Sequence, residues 1–422
     1  CTGPASCAAF KLSISSGTET ITSLAINETG SAIANTTLAS LSLFYDTDGN
    51  YSNGVTGQYG STIDNFNTGE TATVSGSLVI SSGTTYYFYV RFNLANSTNY
   101  PAGGETLGFR IQSNTDVTTS GTPNKTGSPA NLAGTTTVKP QITSYTNSTE
   151  SALNYSASCT TCGARIGPAS SFRQTVVISG YGFGTDPGLG NRSTAINKVD
   201  VIGAATTTMA DDGSANTNVS AWSNTSITIR TDTNITGNSD ADFGTNFGGA
   251  NALQITAGGQ SSVANLNFYL FPQVTSITSI QSNAAREYDS GDTDGNITLN
   301  GTRIGSSQGT GWVRILGCDS ATCSSPTGTA TISSWINTAI QAQVPTVIGD
   351  NTYTGNIDMQ QGTGANSKQH TYGTTFRILP RIISIVPSSE EAGNPVTING
   401  NHFCENGGTC PSSFDANNKV KF

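Results

Sequence analysis

The stretch PRIISIVPSSEEAGNPVTINGNHF, residues 380 to 403, holds the pattern that decides the fold. RIISIV and VTING are short runs rich in β-branched residues, and the second run alternates apolar with polar residues. Such alternation is typical of a β-strand with one buried and one solvated face. Proline and glycine bound the runs, because proline cannot donate to a strand ladder and glycine tolerates turn conformations. The stretch therefore predicts two strands of a β-sandwich.

The same pattern occurs twice earlier in the chain. PQITSY begins at Pro140 and PQVTSI at Pro272, and each follows an alternating run that ends in proline. Downstream, VVISGYGFG and ITLNGTRIG match VTINGNHFC, each reading as a strand, a glycine turn and a large apolar residue. We expect the glycines Gly180, Gly301 and Gly400 to permit a positive φ in these turns.

A third shared element contains tryptophan. It reads AWSNTSITIR from Ala221 and SWINTAIQAQVP from Ser334. Between the second and third elements lies another strand, which reads KVDVIG, WVRILG and, at the end of the chain, KVKF. In this order the elements resemble the TIG repeat, also written IPT, an immunoglobulin-like domain shared by plexins, some transcription factors and many bacterial surface proteins. The resemblance covers Pro140 to Phe422 and implies a bacterial or archaeal cell-surface protein.

The predicted fold class is all-β, with tandem immunoglobulin-like β-sandwich domains in an extended string. Four units are predicted: an N-terminal immunoglobulin-like sandwich (1–137), a TIG-like domain with loop insertions (138–271), a TIG-like domain (272–379) and an incomplete TIG-like domain (380–422). The last unit stops at KVKF, before any Trp-containing strand. Two interpretations stay open: the natural chain continues, or another subunit supplies the missing strands by β-augmentation.

Composition limits the classes of partner. Only 11% of the 422 residues are charged and the net charge is −9, with no basic stripe, so a nucleic-acid partner is not expected. No run of 18 apolar residues occurs, so no membrane span is expected in this chain. The chain has two histidines, and neither lies in a hydrolase motif, so we expect no catalytic residues and no enzyme activity.

The eight cysteines fall into four close pairs, which predict four local disulfides and an oxidising, extracellular or cell-surface location. A metal site is the rival interpretation, and it would need a second pair or histidines beside the CxxC. The pairs are Cys1 with Cys7, Cys159 with Cys162, Cys318 with Cys323, and Cys404 with Cys410.

Two acidic turns are candidate calcium sites, although no cofactor is required by the fold. DTDGN offers Asp46, Asp48 and Asn50, but Gly57 stands where an EF-hand needs glutamate, so an EF-hand is excluded. The alternative is a polar hairpin turn. DSGDTDGN offers four oxygen donors, Asp289, Asp292, Asp294 and Asn296. The alternative is again a plain turn.

Sugars enter the predictions in two ways. Candidate N-glycosylation sites are present as N-x-Ser/Thr sequons, among them Asn27, Asn96, Asn147, Asn224 and Asn296. Aromatic side chains could also form a sugar-stacking platform, although aromatics at alternate strand positions are more often core; the candidates are Tyr86, Tyr87, Tyr89, Tyr269 and Trp312.

Two functions are compatible with these observations. The first is a non-catalytic extracellular structural protein, a subunit of a surface filament, stalk or surface layer, whose partners are copies of itself or other surface proteins. The second is an adhesin or the carbohydrate-binding arm of a larger secreted enzyme, whose partners include glycans. An exposed aromatic cluster would favour the second function.

Overall fold

The computed structural model describes residues 9–64, 66–95, 99–125, 135–156, 162–165, 174–202, 206–213, 217–231, 251–264, 266–305, 307–317, 328–345, 351–352, 354–361 and 368–405. Over these ranges the predicted all-β class is confirmed. Helix is limited to the single turn α1 (Ala34–Thr37) and 3-10 turns at Tyr51–Asn53, Asn114–Asp116 and Ser151–Leu153. In the described ranges, no helix has the length and apolar character to span a membrane.

The first unit is a sandwich of two main sheets whose strand orders are β1-β6-β3-β4 and β5-β2-β8, with β9 also on β2 and a short β7-β10 pair beside them. Its strands are β1 (Phe10–Ser13), β2 (Thr18–Glu28), β3 (Leu38–Asp46), β4 (Gly57–Ile63), β5 (Thr71–Ser81), β6 (Thr85–Leu94), β7 (Thr106–Leu107), β8 (Phe109–Arg110), β9 (Val117–Thr119) and β10 (Thr136–Thr137).

The second unit has a four-stranded sheet, β11-β13-β17-β16, facing a sheet in the order β12-β20-β18-β14-β15, with β19 on β18. The short strand β15 pairs with β14 at the edge of this sheet, and Met209 after it is buried. The strands are β11 (Gln141–Asn147), β12 (Gly163–Arg165), β13 (Thr175–Tyr181), β14 (Lys198–Ile202), β15 (Thr206–Thr208), β16 (Val219–Trp222), β17 (Ser226–Arg230), β18 (Asn251–Ala257), β19 (Gln260–Ser261) and β20 (Leu266–Phe271).

The third unit repeats this topology, with sheets β21-β23-β27-β26 and β22-β30-β29-β24-β25. In both units the first strand pairs with the second long strand, and a short strand then crosses to the opposite sheet and runs parallel to the last strand. The strands are β21 (Gln273–Thr278), β22 (Ala284–Ala285), β23 (Asn296–Thr302), β24 (Trp312–Gly317), β25 (Gly328–Thr329), β26 (Thr331–Ile336), β27 (Ala339–Gln343), β28 (Asn351–Thr352), β29 (Thr354–Gln361) and β30 (Lys368–Ile378).

The first unit differs from the next two in where its terminal strands pair. Its first strand, β1, pairs with β6, and its late strand β9 pairs with β2. In the second unit the first strand instead pairs with β13 and the last strand with β18. The end strands have therefore exchanged sheets, which agrees with the absence of the repeat landmarks from the first part of the sequence.

Each of the three sandwiches buries its own apolar centre between its two sheets. The alternation read from the sequence sets which side chains face inward, since Val176 and Ile178 of β13, and Ile297 and Leu299 of β23, are all buried. Three separate cores, rather than one, are the expected arrangement for small sandwiches in series.

The repeated glycines serve a different purpose from the one that the sequence suggested. Gly180, Gly301 and Gly400 do not have positive φ, so that expectation is wrong. Instead, a Cβ at these positions would lie 2.0, 2.1 and 1.9 Å from a backbone carbonyl oxygen of the unit's first strand. Glycine is needed because the first two strands approach closely there, beside a bulge that all three units share.

Replacing Gly301 with alanine is expected to lower the free energy of unfolding of the third unit by about 2 kcal/mol, because the new Cβ meets the Gln273 carbonyl. Gly373→Ala in the same unit is the matched control, since a Cβ there has no neighbour within 4 Å. Denaturant unfolding compares the two variants. Equal effects would contradict the role of close approach.

The fourth unit is described as a two-stranded sheet, β31 (Arg381–Val386) with β32 (Thr397–Asn401), followed by β33 (Cys404–Glu405). Its strands keep the register of the other repeats, but its inward positions are uncovered. Ile382 is 55% exposed, whereas Ile142 and Val274, at the same register, are 4% and 2% exposed. The strand KVKF lies outside the described residues, and both interpretations of the incomplete unit stay predictions.

Candidate functional site at the junctions between units

One turn recurs at the end of the second long strand of the second, third and fourth units, and we call it the docking turn. It comprises Gly180–Phe183, Gly301–Ile304 and Gly400–Phe403. Its third residue has a left-handed backbone in each unit, with φ of 74° at Gly182, 53° at Arg303 and 59° at His402. This conformation turns the chain sharply after the second strand. At the first and third junctions the middle of the turn contacts the preceding unit.

Tryptophan fixes the docking turn in the two complete repeats. Trp222 Nε1 donates to the carbonyl of Phe183 at 2.7 Å, and Trp335 Nε1 donates to the carbonyl of Ile304 at 3.0 Å. Both indoles are buried, so each donor needs this partner. The recurrence of tryptophan in the sequence therefore follows from a shared hydrogen bond that holds the docking turn.

Asparagine adds a second support from the turn after the tryptophan. The side-chain oxygen of Asn224 accepts from the Gly184 amide at 2.8 Å, and that of Asn337 accepts from the Gly305 amide at 3.2 Å. The docking turn is thus held from two sides by one hairpin. A turn so restrained is suited to a fixed contact with a neighbour.

The first junction joins the first and second units through uncharged groups. The Gly103 amide donates to the Gly182 carbonyl at 2.8 Å, and the ring of Tyr100 stacks on Tyr181 with centroids 5.6 Å apart. Asn224 Nδ2 donates to the Tyr100 carbonyl at 2.6 Å. The backbones nearly touch, because a Cβ on Gly258 would lie 2.0 Å from the Gly103 carbonyl oxygen.

The second junction uses an arginine that follows the crossing strand. Arg165 forms an ion pair with Glu150 (Nε to Oε2, 2.8 Å), and its Nη1 donates to the Pro272 carbonyl at 2.9 Å. Burial alone would raise the pKa of Glu150, but hydrogen bonding and charge from Arg165 outweigh burial and lower it. The side chain of Arg165 therefore binds the linker that leads into the third unit while its own charge is compensated.

The third unit contributes a neutral histidine, His370 of β30, to this junction. The Val274 amide donates to Nδ1 of His370 at 2.7 Å. Burial and the charge of Arg165 lower the pKa of His370 to about 3, against an opposing effect of Glu150. His370 therefore acts as a hydrogen-bond acceptor for the first strand of the third unit near neutral pH.

The third junction repeats the arginine contact and adds charge. Arg286 Nε donates to the Pro380 carbonyl at 3.1 Å, as Arg165 does to Pro272. Arg381 Nη2 lies 2.8 Å from Asp289 Oδ2 and 3.3 Å from an oxygen of Asp292. The acidic turn of the third unit thus binds Arg381, the first charged side chain of the fourth unit.

The docking turn completes the third junction. Nε2 of His402 lies 2.9 Å from Oε1 of Glu287, and Asn401 Nδ2 donates to Oε2 of Glu287 at 2.6 Å. The strand β33 follows immediately and pairs in parallel with β28 of the third unit, joining Asn351 to Cys404. The junction is therefore closed by ion pairs, hydrogen bonds and a short shared sheet.

The candidate calcium ligands have other partners in the structure. Asp289 and Asp292 contact Arg381, and Asp294 is paired with Arg286. Asn296 is exposed at the start of β23.

In the other turn, Asp46 accepts from the Gly49 amide, and Asp48 accepts from the Asn50 amide, each at 2.8 Å. In the part of the chain that the structure describes, no three His, Cys, Asp or Glu side chains are grouped to hold a metal ion. Calcium at either turn stays a prediction.

The candidate glycosylation sites differ in access. Asn147 is 1% exposed, and its Nδ2 donates to the Gly163 carbonyl and to Gln174. A glycan on Nδ2 of Asn147 or Asn224 would require these hydrogen bonds to break. Asn296 is exposed, and Nδ2 of Asn27 donates to Asp116. Asn96 lies outside the described residues.

The cysteines and aromatics complete the predicted sites. Cys162 is buried and disulfide-bonded. The other cysteines lie outside the described residues, apart from the backbone of Cys404. All four predicted pairings therefore stay predictions. Tyr89 and Tyr269 are core residues at 2% and 7% exposure, and Tyr86 and Tyr87 are half-buried. The guanidinium of Arg314 lies 3.7 Å from the ring centroid of Trp312. These aromatics do not form an open platform.

Sequence reasoning missed the residues that close the junctions. No recognised motif contains Arg165, Arg286 or Glu287. His402 lies in the repeated turn, but nothing in the sequence indicated its contact. The sequence did contain one sign of the arginine contacts. The dipeptide Ala-Arg stands between the first two long strands in both the second and the third unit, as Ala164-Arg165 and Ala285-Arg286. The distance of 107 residues between Arg165 and Pro272 hid their contact.

No family model and no curated protein matches the chain. Among solved structures, it is similar to the N-terminal eight immunoglobulin domains of the Down syndrome cell adhesion molecule, isoform 1.30.30, at 13% identity and a TM-score of 0.19. The match covers 89% of this chain and 37% of that one, so the chain spans little more than a third of that protein. A likeness at this level carries no argument, and the immunoglobulin-like assignment rests on the sheet topology.

Proposed function

We propose that the chain is a non-catalytic structural module of an extracellular surface assembly, in which sandwich units in series act as a stiff spacer. One observation carries the proposal: at each of the three junctions a backbone carbonyl accepts a hydrogen bond from the neighbouring unit. The docking turn of the following unit adds contacts at the first and third junctions, whereas flexible linkers would leave the units without such contacts. Restrained junctions keep a string of small units extended.

The resemblance to TIG repeats supports a more specific setting, a subunit of a surface filament, stalk or surface layer. Local disulfides and surface glycans would suit such an exported protein, and the fold requires no cofactor. Copies of the chain or other surface proteins are its proposed partners, through sheet edges. The alternative of a sugar-binding arm gains no support from the aromatics, because they are buried, half-buried or covered by arginine.

Stiffness is tested by small-angle X-ray scattering on the full chain with a matched pair of glycine variants. Gly258→Ala places a methyl group 2.0 Å from the Gly103 carbonyl oxygen of the first unit. Gly259→Ala, also at positive φ, meets only the Ile196 side chain at an ordinary contact distance of 3.9 Å. We expect the wild type and Gly259→Ala to scatter as one extended rod, and Gly258→Ala to show a broader distribution of shapes. A wild-type chain that already samples many shapes would overturn the spacer role.

The setting is tested by electron microscopy of native cell surfaces labelled with antibodies against the chain. Labelling of a filament, stalk or lattice at regular intervals is the expected result. Absence of label from the surface, or strong selective binding of the isolated chain on a glycan array, would instead support the alternative function.

A further inference from the structure

The third junction contains a histidine and a glutamate that meet out of contact with water. Nε2 of His402 lies 2.9 Å from Oε1 of Glu287, and the two side chains are 0% and 5% exposed. They belong to different units, so the pair forms only when the junction is closed. Few side-chain pairs in proteins change their charge near neutral pH, and a histidine with a carboxylate is one that does.

Charged side chains of both signs lie around this pair. Four carboxylates, Glu287, Asp289, Asp292 and Asp294, lie at the junction with the guanidinium groups of Arg286 and Arg381. Asn401 donates to Glu287 from the fourth unit, and Arg381 also donates to the Glu287 carbonyl. Among these described groups, a protonated His402 is the third cation beside four anions, whereas a neutral imidazole leaves the buried Glu287 carboxylate with weaker compensation.

The corresponding positions at the other junctions cannot respond in this way. The left-handed residue of the docking turn is Gly182 in the second unit and Arg303 in the third. Glycine has no side-chain charge, and arginine stays charged across the physiological range. Among the three docking turns, only that of the fourth unit therefore has a left-handed residue whose side chain can change charge near neutral pH.

We propose that protonation of His402 controls the closure of the junction between the third and fourth units. The junction is closed while the imidazole carries a proton and loosens as the proton is lost at higher pH. Since β33 begins two residues after His402, loosening the docking turn also releases the pairing of β33 with β28. The inference deepens the proposed function, because it concerns the regulation of one of the same junctions.

The experiment follows two signals in the full chain between pH 5 and 8.5. NMR gives the titration of the two imidazoles, and amide hydrogen exchange, corrected for its intrinsic pH dependence, gives the protection of β33. We expect the protection of β33 to fall by about tenfold as pH rises, in step with the loss of the His402 proton that NMR records.

Two variants separate the cause from general effects of pH. His402→Asn keeps a residue that tolerates the left-handed backbone, and Glu287→Gln removes the charge of the partner. Each should abolish the fall in the protection of β33 as pH rises. If His402→Asn fails to fold, Glu287→Gln gives the same test.

A His402 that titrates without any change in protection, or a pH dependence that survives Glu287→Gln, would overturn the proposal. So would a His402 that does not titrate in this range. These outcomes leave the spacer function standing if scattering shows a rod. A chain that scatters as flexible at every pH would overturn the spacer function itself.

Discussion

Replacing Trp335 with alanine is expected to lower the free energy of unfolding of the third unit by about 4 kcal/mol. The indole is 8% exposed and packs within the third core. Its loss leaves a cavity, and the Ile304 carbonyl loses the donor at 3.0 Å that holds the docking turn. Hydrogen-exchange mass spectrometry on peptides from β23 and β27 measures the effect within this unit.

Two further tryptophan variants make the result specific. Trp335→Phe keeps an aromatic ring but removes the donor, so about 1–2 kcal/mol should be lost. Trp312→Ala, at a half-buried position beneath Arg314, should cost less than about 1.5 kcal/mol. If Trp312→Ala proved as damaging as Trp335→Ala, the hydrogen bond to the docking turn would not explain the recurring tryptophan.

Acid is expected to destabilise the third unit through His370. Burial and the charge of Arg165 lower the pKa of this histidine to about 3 in the folded chain, against 6.5 as its ordinary value. The unfolded chain therefore binds more protons between these two values, so the stabilisation is complete above about pH 6.5 and is lost as pH falls toward 3. Linkage predicts a loss of about 3 kcal/mol between pH 7 and pH 4.

The matched variant is His370→Asn, whose side-chain oxygen can still accept from the Val274 amide. It should show a shallower decline of unfolding free energy over the same pH range, measured by urea unfolding at each pH. An equal decline in wild type and variant would assign the acid sensitivity to carboxylates instead. The direction is opposite to that expected at His402, which makes the two histidines separable.

The repeating strands could be predicted because their signals are local. PRIISI and VTING contain their own alternation, with proline and glycine at their ends, and the three copies predict where the units begin. The crossing strands β12 and β22 could not be predicted, since they have only three and two residues and form by pairing with the end of the same unit. Periodicity cannot be read from so few positions.

The junction contacts depended on geometry that the sequence does not contain. The acidic turn at Asp289 and Asp292 suggested a cation, and the structure shows the guanidinium of Arg381 beside both carboxylates. Oxygen ligands for calcium and partners for arginine have the same composition, so only the position of the next unit distinguishes them. The docking turn was visible as a motif, but its partner in the preceding unit was not.

The crossing strand has a mechanical consequence. In the second unit β12 runs parallel to β20, and in the third β22 runs parallel to β30. When a chain is stretched from its two ends, an early strand is drawn backward and a late strand forward. Parallel neighbours then slide in opposite directions, so their hydrogen bonds are loaded together in shear rather than peeled apart one after another. The second and third units consequently each carry a clamp against pulling force beside their last strand.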